Sequence, residues 1–215
     1  MVRATVSDMN NNADDTTWLR EARFGLFIHW GIYALPARGE WVKHYERLTD
    51  AQYDPYFEFF EPDVYDPLSW AREARNAGMR YFVITTKHHD GFCLWDSDLT
   101  DYKATKTPAG RDLLGPAIEA FREAGLKVGL YHSLDWHHPD FPVDEFHPQR
   151  DDGEFKRLHS RRHVSKYREY LHGQVRELFT RYGGTDHVFF DFSYGPRQRA
   201  EAWGGKSRDD SGPRS

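Results

Sequence analysis

Ionisable side chains follow four apolar runs of the sequence. His29 ends the first run, His88 and His89 the second, Tyr131 precedes a further histidine in the third, and Asp191 ends the fourth. Imidazoles bind hydroxyl groups, transfer protons or ligate metals, and a carboxylate acts as a nucleophile or a base. Because the carboxyl ends of parallel strands meet at one edge of a sheet or barrel, we expect these groups to lie close together.

Each candidate group also has a structural interpretation. Asp191 suits a nucleophile or base, but equally an aspartate that caps the next helix or binds a loop. His88 and His89 are consecutive, and consecutive residues of a strand point to opposite faces, so they do not share one metal unless the chain bends. Recognition of sugar hydroxyls demands less of the geometry. Glu40 and Trp41 suit a sugar, through a carboxylate and a stacking indole, or a surface ion pair beside a packed ring.

Three segments of the chain repeat one order of features: an amphipathic helix, a glycine and a short apolar run. The predicted helices cover residues 66–77, 116–124 and 164–182, and the predicted strands cover residues 24–30, 81–86, 128–131 and 187–191. An Asp-Pro pair opens the first helix, and a glycine follows each of the three. Apolar strands that alternate with helices predict a parallel sheet covered by helices; the first strand has no predicted helix before it.

The length of the chain limits how many strands of a barrel it can contain. The fourth predicted strand ends at residue 191 of 215, whereas a closed barrel has eight strands over roughly 250 residues. The chain is therefore an open four-stranded α/β sheet or the N-terminal half of a (β/α)8 TIM-like barrel, and we favour the second. This organisation predicts a flexible leader at residues 1–17, a partial catalytic domain at residues 18–196 and a loop or disordered tail at residues 197–215.

The composition excludes several classes of protein. Lys and Arg number 29 against 34 Asp and Glu, a net charge of −5 without a basic stripe, which argues against a nucleic-acid partner. No run approaches 18 apolar residues, and the first twenty residues lack the apolar core of a signal peptide. Cys93 is the single cysteine, which fits a reducing compartment. We therefore expect a cytoplasmic protein that binds no membrane and needs no cofactor.

Four segments together resemble the α-L-fucosidases of glycoside hydrolase family 29. They are residues 24–31 (FGLFIHWG), 40–41 (EW), 87–92 (KHHDGF) and 189–194 (FFDFSY). The resemblance covers residues 18 to 194 in the order that the family has. It implies a catalytic (β/α)8-like barrel, usually followed by a β-sandwich domain, and a retaining hydrolase that acts on fucosylated glycans or glycosides.

The resemblance also implies roles for individual residues. Asp191 matches the catalytic nucleophile. The residues that match sugar-binding positions are His29, Glu40, Trp41, His88, His89, Tyr131 and Phe189. Tyr131 falls in a motif that usually reads Tyr-Tyr-Ser, in which His132 here replaces the second Tyr, so which of the two faces the sugar stays open. Phe189 stands where many members carry Trp.

The general acid of the family has no matching residue in this sequence. A retaining glycosidase has two carboxyl groups about 5–5.5 Å apart, and the family's acid is a Glu downstream of the nucleophile. Glu201 is the only Glu after Asp191 and does not match it. We therefore expect a truncated chain with impaired activity, whose open barrel edge is covered by a second copy or a complementing chain.

Two alternatives remain at this point. One keeps the fold without catalysis, as a fucose-binding half-barrel. The other is a metal-dependent hydrolase in which His29, His88 and His132 ligate the metal.

Overall fold

The computed structural model describes residues 16–141, 143, 146–159 and 162–191. Within these ranges it has four strands: β1 (Gly25–Ile28), β2 (Tyr81–Lys87), β3 (Lys127–Ser133) and β4 (His187–Asp191). They form one sheet in the spatial order β1-β2-β3-β4, and every neighbouring pair is parallel. The predicted α/β fold with sequential parallel strands is therefore confirmed. The predicted tail, and the predicted leader before residue 16, lie outside the described residues.

Seven α-helices and two short 3-10 helices, Ile32–Ala34 and Ala104–Lys106, lie among the described residues. The α-helices are α1 (Thr17–Ala22), α2 (Val42–Tyr45), α3 (Asp50–Glu58), α4 (Pro67–Asn76), α5 (Leu114–Glu123), α6 (Gly153–Leu158) and α7 (Val164–Arg181). Two predictions need correction: α1 precedes β1, and α5 begins two residues before Pro116. The second difference has a local cause, because Asp112 accepts hydrogen bonds from the backbone N–H groups of Leu114 and Gly115. None of these helices is both long and apolar enough to cross a bilayer.

Helix α4 shows how local sequence sets an element. The Asp66 carboxylate accepts a hydrogen bond from the Ser69 N–H, and Pro67 takes the first helical position, where its missing N–H costs nothing. Gly78, just past the helix, has φ +84°, a left-handed conformation that other residues adopt only with strain. Helix α4 packs beside α5, and α5 packs on β3.

The strands differ in how deeply they are buried. Phe82 of β2 and Val128 of β3 are 0% exposed, whereas Phe27 of β1 is 43% and Phe190 of β4 is 57% exposed. The central strands approach closely at Gly129, where a Cβ atom would lie 2.8 Å from a methyl carbon of Val83. β2 and β3 therefore form the packed centre of the sheet, and β1 and β4 are its outer strands.

Candidate active site

Strand β2 has a bulge just before the two consecutive histidines. Thr85 pairs with Tyr131 and Lys87 with His132, so Thr86 is an extra residue on β2. Its hydroxyl donates a hydrogen bond of 2.9 Å to the Tyr131 carbonyl, which holds the bulge against β3. A bulge of this kind bends the strand and redirects the side chains that follow it.

Beyond the bulge, His88 and His89 lie side by side. Their ring centroids are 4.2 Å apart, and the two residues are 2% and 1% exposed. The alternation of a regular strand predicts opposite faces for consecutive residues. Because the bulge bends the strand, both histidines can face the same site.

Asp191, the last residue of β4, faces these histidines. The Tyr131 hydroxyl donates a hydrogen bond of 2.6 Å to Asp191 Oδ2, and His89 Nε2 lies 3.6 Å from the same oxygen. Burial and this hydrogen bond raise the pKa of Tyr131, so its hydroxyl stays protonated and keeps donating. The Asp191 side chain is 38% exposed, which leaves the carboxylate accessible from solvent. Of Tyr131 and His132, it is Tyr131 that points toward the carboxylate.

His29 and Phe189 complete this side of the site. The His29 ring centroid lies 5.5 Å from that of His88 and 5.2 Å from that of Tyr131, while Phe189 stacks on Tyr131 at 5.6 Å. Desolvation lowers the pKa of His29, against a smaller opposing effect of Glu40 and Asp191. Both carboxylates therefore act electrostatically on His29, and Glu40 directly precedes Trp41 in the loop after β1.

Trp41 approaches from the loop after β1. Its ring centroid is 4.7 Å from that of His89, with the rings edge to face. Trp136, which the sequence reasoning missed, lies 5.1 Å from His89 and 5.4 Å from Trp41. Trp136 comes three residues after β3, so the rule that strand ends carry functional groups would have found it. All eight residues predicted to form the site are thus gathered at one end of the sheet; their roles remain predictions.

The two buried histidines are neutral near pH 7. Burial lowers the pKa of His88 to about 2, and burial lowers that of His89 to about 4 despite the opposing charge of Asp191. His89 Nδ1 lies 2.5 Å from the Ser133 hydroxyl, which donates its own proton to the Leu134 carbonyl at 2.8 Å and therefore accepts from the imidazole. We therefore place the His89 proton on Nδ1, so that Nε2 carries the lone pair and acts as a hydrogen-bond acceptor.

A buried ion pair supports the histidines from behind. Lys87 Nζ lies 2.6 Å from Asp135 Oδ2 and donates a hydrogen bond of 2.8 Å to the side chain of Gln174 on α7. The Lys87 and Asp135 side chains are 0% and 1% exposed. The backbone N–H of Trp136 donates to the His89 carbonyl at 2.8 Å. This network connects the end of β2, the loop after β3 and α7, and sequence reasoning missed it.

His132 lies apart from the other histidines. Its Nδ1 donates a hydrogen bond of 2.9 Å to the Thr86 hydroxyl, and its ring lies 5.9 Å from that of Trp95. The proposed ligands His29, His88 and His132 therefore do not converge. In the part of the chain that the structure describes, no three His, Cys, Asp or Glu side chains are grouped so that they would hold a metal ion.

Comparison with known proteins agrees with this arrangement. The sequence model of the Alpha-L-fucosidase family matches residues 2–209. The chain is 35% identical to tissue alpha-L-fucosidase of Mus musculus over 147 residues, a match that covers 60% of this chain and 32% of the mouse protein. The chain thus spans about a third of the length of the curated relatives it matches.

Solved structures give the same result for the fold. Alpha-L-fucosidase isoenzyme 1 from Paenibacillus thiaminolyticus is 57% identical, with a TM-score of 0.80 over 83% of this chain and 43% of that chain. The alpha-L-fucosidase GH29 from Bacteroides thetaiotaomicron, solved as a trapped covalent intermediate with 2-fluoro-fucosyl fluoride, is 34% identical. Its TM-score is 0.68 over 80% of this chain and 40% of that chain. The resemblance drawn from the sequence motifs is confirmed, and the chain belongs to the alpha-L-fucosidase family.

Proposed function

We propose that this chain provides the fucose-binding site and the nucleophile of a retaining α-L-fucosidase. One observation carries the proposal: the Asp191 carboxylate, at the end of β4, lies 2.6 Å from the Tyr131 hydroxyl and 3.6 Å from His89 Nε2. A carboxylate that is accessible yet held beside hydroxyl-binding groups suits attack on a sugar ring. The relative from Bacteroides thetaiotaomicron that forms a covalent intermediate supports the same chemistry.

In the proposed reaction, an Asp191 oxygen attacks the anomeric carbon of the fucoside as the bond to the leaving group breaks. This forms a glycosyl ester on Asp191, which water then hydrolyses, so that two inversions give net retention. The Tyr131 hydroxyl orients the attacking carboxylate. A second carboxyl group protonates the leaving oxygen, and we assign that role to no residue described in the structure.

The neutral histidines suit the recognition of sugar hydroxyls. In this proposal His89 Nε2 accepts a hydrogen bond from one sugar hydroxyl. The His29 imidazole, beside His88 and Tyr131, binds a second hydroxyl. Such groups give geometric selectivity without a charge that would need a counter-ion. Trp41, edge-on to His89 at 4.7 Å, provides an aromatic wall for the apolar face of the ring.

The test is hydrolysis of an aryl α-L-fucoside whose leaving group is acidic enough to depart without protonation. We expect Asp191→Ala to lower kcat/KM on the order of 10³-fold or more, because the nucleophile is lost. Asp101→Asn is the matched control, since that side chain is 88% exposed and makes only a 3.7 Å ion pair.

A second readout separates catalysis from binding. Incubation with 2-fluoro-fucosyl fluoride should add one fluorofucosyl group to the wild type and none to Asp191→Ala, as measured by mass spectrometry. Equal rates for the wild type and Asp191→Ala would contradict the assignment of the nucleophile. Fucose binding without turnover would instead favour the non-catalytic half-barrel.

A further inference from the structure

The Ser133 hydroxyl contacts the ring nitrogen of His89 that does not face Asp191. Ser133 is the last residue of β3 and is 0% exposed, and its Oγ lies 2.5 Å from His89 Nδ1. On the other side of the ring, His89 Nε2 lies 3.6 Å from Asp191 Oδ2. Each ring nitrogen therefore faces an oxygen, and the neutral imidazole has one proton, which only one of the two nitrogens can carry.

The proton of the Ser133 hydroxyl is already engaged elsewhere. The hydroxyl donates to the Leu134 carbonyl at 2.8 Å, and a hydroxyl turned toward Nδ1 instead would give up that bond. Tyr131, whose pKa the Ser133 side chain lowers against the larger effects of burial and Asp191, donates its own proton to Asp191 at 2.6 Å. Among the described side chains that act on the Ser133 hydroxyl, the His89 imidazole is thus the donor that remains.

The Asp191 carboxylate favours the opposite placement of the proton. A carboxylate beside a neutral imidazole attracts the proton to the nitrogen that faces it, and this contact is one of those that commonly fix a histidine tautomer. At 3.6 Å, Nε2 and Oδ2 are beyond hydrogen-bond distance, but the Asp191 side chain is 38% exposed and a small rotation would bring the two atoms together. Two acceptors therefore compete for one proton: a buried hydroxyl at 2.5 Å and a charged carboxylate at 3.6 Å.

We infer that Ser133 is a positioning residue that holds the His89 proton on Nδ1 against the attraction of Asp191. Without the hydroxyl, the proton would move to Nε2 and be donated to the carboxylate. His89 would then lose the lone pair that accepts a sugar hydroxyl, and the Asp191 oxygen would be bonded to the imidazole. These consequences for the sugar and the nucleophile rest on the proposed function, whereas the position of the proton does not.

The experiment determines the tautomer from the nitrogen NMR chemical shifts of the His89 ring, at pH 7 and without ligand. A protonated ring nitrogen and one with a lone pair give well-separated signals, which are assigned by their loss in His89→Gln. We expect the proton on Nδ1 in the wild type and on Nε2 in Ser133→Ala. In Ser133→Ala combined with Asp191→Ala it should return to Nδ1, because the carboxylate is gone and the Leu134 carbonyl lies 3.4 Å from that nitrogen. A proton on Nε2 in the wild type, or on Nδ1 in Ser133→Ala, would overturn the inference.

Two further variants control for the loss of a buried hydroxyl. Ser97→Ala removes the hydroxyl of another serine that is 0% exposed, one that donates to Glu177 at 2.7 Å, and it should leave the His89 signals unchanged. Ser133→Cys keeps a side chain of similar shape but offers only a weak acceptor, so part of the protein should carry the proton on Nε2. This variant decides the question if Ser133→Ala does not fold, and a proton wholly on Nδ1 in it would then overturn the inference.

Hydrolysis of an aryl α-L-fucoside separates this inference from the proposed function. Ser133→Ala should lower kcat/KM roughly tenfold, the effect of one lost hydrogen bond, and Ser97→Ala should change it less than about twofold. A moved proton in Ser133→Ala with an unchanged kcat/KM would overturn the role of Ser133 in the reaction and leave the nucleophile in place. A wild type with the expected tautomer, but with neither turnover nor labelling by 2-fluoro-fucosyl fluoride, would overturn the proposed function and leave the role of Ser133 in placing the proton intact.

Discussion

The ends of β2 and β4 contribute to the same site but are held in different ways. His89, after β2, has a side chain that is 1% exposed, with the Lys87–Asp135 pair behind it. Asp191, at the end of β4, has a side chain that is 38% exposed and follows Phe190, which is 57% exposed. The groups proposed to bind a sugar are therefore fixed by the core, whereas the proposed nucleophile lies on an outer strand and accepts a hydrogen bond from the Tyr131 hydroxyl.

The strongest test of this contrast is to break the ion pair behind the histidines. We expect Lys87→Met to lower the free energy of unfolding by about 3–5 kcal/mol, because Asp135 would be left as an uncompensated buried charge. Urea denaturation measures the effect. Lys127→Met is the matched control: its 2.6 Å pair with Asp186 is partly exposed, and its loss should cost about 1 kcal/mol or less. Similar losses in both variants would mean that burial does not distinguish the two pairs.

On the outer strand, Tyr131→Phe removes the hydrogen bond to Asp191 and keeps the ring. A hydrogen bond to a charged group contributes about 1.5–3 kcal/mol, so we expect kcat/KM for an aryl α-L-fucoside to fall roughly 10–100-fold. The effect should appear mainly in kcat, since the hydrogen bond would orient the proposed nucleophile rather than the sugar. An unchanged kcat would show that the carboxylate is positioned by other contacts.

The buried histidines also predict how stability depends on pH. The pKa of His88 is lowered to about 2 in the folded protein from its ordinary value of 6.5, so below pH 6.5 the unfolded chain binds a proton there that the folded chain does not. This favours unfolding as the pH falls, by up to about 1.4 kcal/mol per pH unit. Asp90, whose pKa burial raises to about 6, opposes the effect by taking up a proton in the folded state.

The variant His88→Gln isolates this contribution. As the pH is lowered from 6.5 to 4, the free energy of unfolding of this variant should fall less steeply than that of the wild type. The two slopes should differ by up to about 1.4 kcal/mol per pH unit, the value for one proton. Urea denaturation at half-unit pH steps gives both slopes. Identical slopes would contradict the assignment of a neutral, buried His88.

The smallest effect is expected on the exposed face of β4. Phe190→Ser should change the free energy of unfolding by no more than about 0.5 kcal/mol, because the ring is already 57% exposed. Phe82→Ala, at a side chain of β2 that is 0% exposed, should cost about 3–5 kcal/mol and calibrates the measurement. A large loss in Phe190→Ser would mean that β4 is covered in solution.

Local signals predicted much of the fold. The cap at Asp66 and the glycine at Gly78 mark the ends of α4, and four apolar runs correspond to the four parallel strands. The convergence of His29, His88 and Asp191 also follows from sequence, because parallel strands place their carboxyl ends at one edge.

Other features depend on contacts between distant parts of the chain. Lys87 and Asp135 are 48 positions apart, and nothing in their local sequence pairs them. The extra residue at Thr86 is defined only by its register against β3, so the common orientation of His88 and His89 could not be predicted from alternation. The choice of Tyr131 over His132 as the residue that faces Asp191 likewise required the register.

The bulge at Thr86 constrains how this segment can be moved or shortened. Deleting that one threonine would leave Lys87 opposite His132 but would remove the bulge and the bend it makes in the strand. His88 and His89 would then follow a regular strand, whose alternation directs consecutive side chains to opposite faces. The histidine pair can therefore be moved to another parallel sheet only together with the bulge. The sequence KHHDGF alone does not determine the direction in which the two imidazoles point.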